Sequence, residues 1–166
     1  MTQYKIFNGP MPTTGSQAPV ATGTAIKTLL QLKGFNVFKV LEWGVSFDGS
    51  AAATPGKVEL CETGTVFGTV TAFADADITK FDSNENAVAS IMGLTLGTSA
   101  SGYTCTSEGA ITVVRQLDAQ LVAPTSQYVY QFPQGREPKV IIGNALRIRV
   151  NFGASVNALA WVLIGF

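Results

Sequence analysis

The 166-residue chain carries eleven basic and eleven acidic residues and no histidine; 46% of it is apolar and only 13% charged. A globular domain ordinarily carries about 25% charged residues, so with a mean hydropathy of +0.27 this surface is short of charge and much of it is expected to lie under partners. The balance of charge leaves no basic excess for nucleic acid or an anionic membrane, and the missing histidine removes the commonest general base and metal ligand, which argues against most hydrolases and metalloenzymes.

In chain order, residues 1–23 read as an extended arm. Three prolines and three glycines fall within residues 8–23, a composition that excludes a helix or a central strand. The arm is expected to reach a neighbouring subunit or partner through Ile6, Phe7, Pro10 and Pro12. The first apolar run after Met1 is too short for a signal peptide, and no apolar run reaches the ~18 residues of a membrane-crossing helix.

Residues 24–166 are expected to form one domain, a size that buries a core without staples. Residues 24–33 are a first strand closing on Gly34. In 38–48, Leu41, Trp43, Val45 and Phe47 alternate with Glu42, Gly44, Ser46 and Asp48, and Asp48-Gly49 is a strong turn signal. Residues 57–62 alternate again, and 65–73 are rich in β-branched residues. Residues 74–90 are the one stretch with a helical or irregular pattern. Further strands are expected at 111–123, 128–132, 139–142 and 145–152, where Leu146, Ile148, Val150 and Phe152 alternate with Arg147, Arg149 and Asn151. Roughly eight to ten short strands separated by turns are the pattern of an all-β sandwich or jelly roll.

Residues 157–166 break the alternation. As a strand, Leu159, Trp161 and Leu163 point one way and Ala160, Val162 and Ile164 the other. Both faces are apolar, although a sandwich strand needs only one buried face. One face is therefore expected to pack on the domain core and the other on another chain; the pattern does not say which. Trp161, Val162, Leu163, Ile164 and Phe166 are the candidate oligomer interface.

Candidate chemistry is sparse. Asp75, Asp77, Asp82 and Glu85 could bind a cation, but the loop lacks the glycine and glutamate of a calcium loop, and solvated turn residues are the simpler reading. Glu59 and Glu62 do not converge as a glycosidase pair, since strand residues three apart face opposite sides. Glu42 is expected to pair with Lys57 or Arg147 on a neighbouring strand. Arg147 and Arg149 share a strand face, where they either meet a partner's carboxylates or keep an outer sheet soluble. Trp43 and Trp161 read as core or interface anchors. Cys61 and Cys105 have no metal or redox spacing; they read as reduced and structural, with a disulfide left open. No catalytic residue, cofactor, metal or small-molecule substrate is assigned.

The Pro/Thr/Gly arm, the block 41–60 (Leu-Glu-Trp-Gly-Val-Ser-Phe-Asp-Gly-Ser-Ala-Ala-Ala-Thr-Pro-Gly-Lys-Val-Glu-Leu) and the ending Leu146-Arg-Ile-Arg-Val and Val156-Asn-Ala-Leu-Ala-Trp-Val resemble the small, TNF-like jelly-roll proteins that decorate or cement tailed-bacteriophage capsids. The resemblance covers residues 24–166. It implies a virion structural protein, a homotrimer seated on the major capsid protein at the outer capsid surface, stabilising the shell. It implies no enzymatic activity, and no nucleic-acid or membrane partner. A trimeric fibre head or adhesin that binds a receptor or glycan is the alternative, with loops 103–108 and 128–135 as its candidate site.

Overall fold

A computed structural model describes residues 1–50, 53–85 and 87–166. The strands are β1 (Gln3–Phe7), β2 (Val20–Ala21), β3 (Lys27–Lys33), β4 (Phe38–Phe47), β5 (Gly56–Glu62), β6 (Thr69–Ala72), β7 (Ile78–Lys80), β8 (Gly102–Ser107), β9 (Arg115–Val122), β10 (Gln127–Gln131), β11 (Lys139–Val140), β12 (Ala145–Asn151) and β13 (Asn157–Gly165). A 3-10 turn at Asp75–Asp77 and one helical turn, α1 (Ala89–Met92), are the helical pieces among the described residues. The fold is an all-β sandwich of two antiparallel sheets. The first runs β10-β4-β13-β1-β7, with β11 beside β4 and β2 beside β13; the second runs β6-β8-β3-β12-β5-β9.

Eight strands make the frame, and their pairing is nested. β1 pairs with β13, β3 with β12, β4 with β10, and β5 with β9. The contacts β13–β4 and β12–β5 then join these pairs into the two sheets. The inserted residues 63–114 lengthen both sheets on one flank, adding β7 beside β1 and β6–β8 beside β3. Phe73 and Tyr103, with ring centroids 5.3 Å apart, pack on that flank. The opposite flank is tied by Asp118 on β9, whose Oδ2 accepts from Trp43 Nε1 at 3.0 Å and Tyr128 Oη at 2.9 Å. Burial, reinforced by that carboxylate, pushes the Tyr128 phenol up to about 12.

The period-2 reading of 38–48 is right at its end and shifts phase at its start. Trp43, Val45 and Phe47 point into the core, but so do Phe38 and Val40. A bulge opposite Leu163/Ile164 skips Leu41 and turns it outward. A second bulge, opposite Ile148/Arg149, lets both Leu29 and Leu30 lie in the core.

The arm reading does not hold for the first eight residues. Tyr4 and Ile6 are fully buried, and β1 pairs with β13 on one side and β7 on the other. Asn8, also buried, continues the pairing: its Nδ2 donates to the Ala158 carbonyl at 3.1 Å and its Oδ1 accepts from the Ala160 amide at 3.0 Å. The chain then leaves as an exposed loop carrying Pro10 and Pro12, and rejoins β13 at β2. The prolines forbid a strand only where they stand; the preceding Gln-Tyr-Lys-Ile-Phe alternates and is free to pair. Ile6 is thus a core residue rather than an arm contact. Ile6→Ala should cost about 2–5 kcal/mol in urea denaturation, and removing residues 1–8 should give insoluble or unfolded protein because β13 loses a neighbour. A soluble, cooperatively folding truncation is the result that contradicts this placement.

Candidate functional site

β13 is central in its sheet, and its two faces have different fates. Ala158, Ala160, Val162 and Ile164 are fully buried in the core, whereas Leu159, Trp161 and Leu163 are half-exposed on the outer face. Val162 and Ile164 therefore cannot serve the oligomer interface expected of them: strand alternation spends them inside the sandwich. Phe166 is half-buried against the domain's own aromatics, with ring centroids 6.0 Å from both Tyr4 and Phe38. Of the five expected interface residues, Trp161 and Leu163 remain on the outer face of the sheet.

The register builds an apolar row around Trp161. Val129 on β10, Gly44 on β4, Trp161 on β13 and Phe7 on β1 stand directly opposite one another in turn. Gly44 is needed there. A Cβ at this position would come within 2.7 Å of Trp161 Cζ2, so its absence lets the indole spread across β4. From β1, Lys5 Nζ sits 3.7 Å from the Trp161 ring centroid and 5.8 Å from that of Phe7, a cation–π contact that holds the ring in place. The next row, Gln131, Glu42, Leu163 and Lys5, opens into a groove of about 480 Å³ whose apolar lining includes Leu41, Phe81 and Phe132. Glu42 lies on this face and cannot pair with Lys57 or Arg147, which belong to the other sheet.

The outer face of the second sheet is covered over β3, β12 and β5 by the chain itself, while Lys57 and Leu121 at its β9 edge stay exposed. Segments 63–68 and 108–114 cross it, and the two arginines expected to face a partner or solvent are buried beneath them. Arg149 binds Glu59 Oε1 through Nε at 2.9 Å and Nη2 at 2.6 Å, and donates to the Ile111 carbonyl at 2.7 Å. Arg147 donates to the carbonyls of Glu108 at 2.8 Å and Val66 at 3.0 Å. Glu62 accepts from Arg115 and from Asn144, the latter at 2.9 Å. Both carboxylates of the imagined glycosidase pair are thus consumed in structural contacts.

The acidic residues of 75–85 are likewise occupied. Asp77 accepts from the Met11 and Ala74 amides, Asp75 from Ser90, Asp82 from the Asn84 amide, and Glu85 from Thr2 Oγ1. Among the described residues no three His, Cys, Asp or Glu side chains come together as a metal site. Cys61 and Cys105 are free and buried. They stand on β5 and β8 with β12 and β3 between, three strand spacings or roughly 14 Å. A disulfide needs Cα atoms about 4.4–6.8 Å apart, so they cannot be joined within the chain. Burial pushes the Cys61 thiol up to about 11, which leaves it a packed, unreactive group.

No family model, no curated protein and no solved structure matches the chain. The site is therefore read from its own geometry: a half-covered apolar sheet face centred on Trp161, with no assembled catalytic constellation among the described residues.

Two expectations follow from these contacts. Gly44→Val should cost about 1–3 kcal/mol by overpacking, and most of that loss should vanish in a Trp161→Ala background when both are compared in a double-mutant cycle; an unchanged penalty would place the clash elsewhere. For Glu59, burial alone would raise the carboxyl, but hydrogen bonds from Gln116 and Arg149 and the Arg149 charge hold it below the usual range. Its folded pKa is depressed, so its contribution is complete above the ordinary carboxylate value of about 4.3 and is lost as pH falls through the folded value. The thermal midpoint should fall as the pH drops from about 4.3 toward the depressed folded value, with a shallower slope in Glu59→Gln than in the parent; equal slopes would dissociate the acid response from this pair.

Proposed function

We propose that the protein is a trimeric decoration protein of a phage capsid, a virion structural component that seats on the major capsid protein at the outer surface and stabilises the shell. The observation that carries this reading is the outer face of β13. Leu159, Trp161 and Leu163 lie in the middle of a sheet with Phe7 and Val129 beside them, and among the described residues no segment covers them as 63–68 and 108–114 cover Arg147 and Arg149 on the opposite sheet. A neighbouring copy of the chain is the simplest cover, and in a three-fold ring that contact is heterologous, the face of one copy packing against a different surface of the next. Obligate interfaces of about 2,000 Å² or more are apolar in this way.

The nested pairing of eight strands supports the jelly-roll reading, because it is the connectivity of one long hairpin rolled up, two Greek keys in succession. The protein acts without a cofactor or substrate: its work is to hold surfaces together, and a rigid β body with a large apolar self-interface suits that work. The exposed loop bearing Pro10 and Pro12 remains available to touch a neighbouring subunit.

Static light scattering tests the self-association. The mass should be three times 17.5 kDa, and Trp161→Glu with Leu163→Glu should return a folded monomer. A parent protein that stays monomeric at micromolar concentration removes the basis of the proposal. Sedimentation with undecorated shells of the source virus then tests capsid binding, and soluble-sugar binding without shell binding would favour an adhesin.

A further inference from the structure

The two ends of the sandwich differ in what they show to solvent. At the end where β3 and β5 finish and β4, β9 and β12 begin, Phe35, Val37, Ile91, Val114, Ile141 and Ile142 are each between 44% and 71% exposed. They come from separate loops that are locked together. The Phe35 amide donates to the Gly93 carbonyl at 2.7 Å, Asn36 Nδ2 to the Met92 carbonyl at 2.8 Å, and the Gly143 amide to the Gly34 carbonyl at 3.2 Å. The loops of the opposite end are ordinary turn sequences, Asp48-Gly49-Ser50, Ala123-Pro-Thr-Ser126 and Gly153-Ala-Ser155. Among the described residues there, the exposed bulky apolar side chains are Met11, on the loop after β1, and Leu121, near the end of β9; they stand on separate elements and form no pad. An apolar pad confined to one end of a rigid body marks a docking surface.

Charge at the pad limits what can dock. β11 sets Lys139 directly opposite Lys39 of β4. Like charges facing each other across a strand pair are unfavourable, and Glu137 reaches Lys39 only at 3.9 Å. The two lysines line a hollow of about 500 Å³ whose apolar walls are Met1, Val37 and Phe166. A carboxylate from outside, entering between the lysines, relieves that repulsion. A second copy docking end to end would instead bring lysines against lysines. The pad holds no Trp or Tyr, the residues that favour a membrane interface, so a lipid surface fits it less well than a protein does.

We infer that this end of the sandwich is the surface that seats on the shell, taking a protein patch with an acidic residue at the Lys39–Lys139 hollow and apolar side chains against Phe35, Ile91 and Ile142. The inference rests on the trimeric capsid reading. Cyclic symmetry keeps the same end of every copy on the same side of the assembly, so three copies joined through the β13 face would present three pads in one direction. Met1 lines both this hollow and the groove beside Leu163, which makes the two surfaces continuous.

The test uses the full chain, an Ile91→Asp/Ile142→Asp double variant and Lys139→Glu, all checked for unchanged thermal midpoint and trimer mass. These are exposed positions outside the core, so folding should survive. Undecorated shells of the source virus and vesicles of phosphatidylcholine with phosphatidylserine are the two probes. The parent should bind shells; the double variant should lose at least about tenfold in affinity, and Lys139→Glu should weaken binding and flatten its dependence on salt. Variants that decorate shells like the parent overturn the assignment of this end and leave the capsid reading standing. A parent that ignores shells overturns both. Vesicle binding by the parent that the double variant loses, without shell binding, reassigns the pad to a membrane and overturns the inference.

Discussion

The structure depends on β13 having a strand on each edge. It lies between β4 and β1, and an apolar strand with an open edge is a template for aggregation. β1 closes that edge, Asn8 extends the closure with side-chain hydrogen bonds that imitate a strand, and β2 completes it at the far end. Sequence-distant segments must therefore meet before the first sheet exists. Nested pairing of this kind has high contact order, and its loop-closure entropy is met only when the outermost pair, β1 with β13, is in place.

The two outer faces solve the same problem differently. On the second sheet, polar residues are buried under the chain's own loops, and Arg147 and Arg149 pin those loops by their carbonyls. That arrangement is specific but energetically neutral at best, since removing two charges from water costs about what their pairing returns. It also takes charges from a chain that has few, which leaves the remaining surface more apolar than composition suggests. On the first sheet, the chain leaves the Trp161 row half-covered. Gly44 below it and Lys5 above it keep the ring flat, so the face is shaped as well as apolar. A flat, preorganised face loses little conformational entropy when another surface covers it.

The functional reading rests on this difference between faces, together with the difference between ends. A body with one apolar face along its strands and one apolar pad at its end is suited to join copies laterally and to stand on a support. The carboxylates of Glu59, Glu62, Asp75, Asp77, Asp82 and Glu85 are held in structural contacts.

The sequence by itself determined the all-β class, the inward residues Trp43, Val45 and Phe47, and the anomaly of 157–166, because period-2 alternation is a local property that a strand displays wherever it is placed. It also showed that no histidine-based chemistry was available. What it did not determine was everything that depends on a partner strand. Gln3–Phe7 is too short to announce itself beside a proline-rich loop, and its role comes only from the edges of β13 and β7. Phase shifts at Leu41 and Leu29 arise from bulges, which are set by the register of two strands and not by either alone. Whether Arg147 and Arg149 faced water or protein depended on loops returning from thirty or more residues away in the chain. Only the tertiary structure could decide which face of the last strand was core, because both faces are equally apolar and the choice is made by the packing of the opposite sheet.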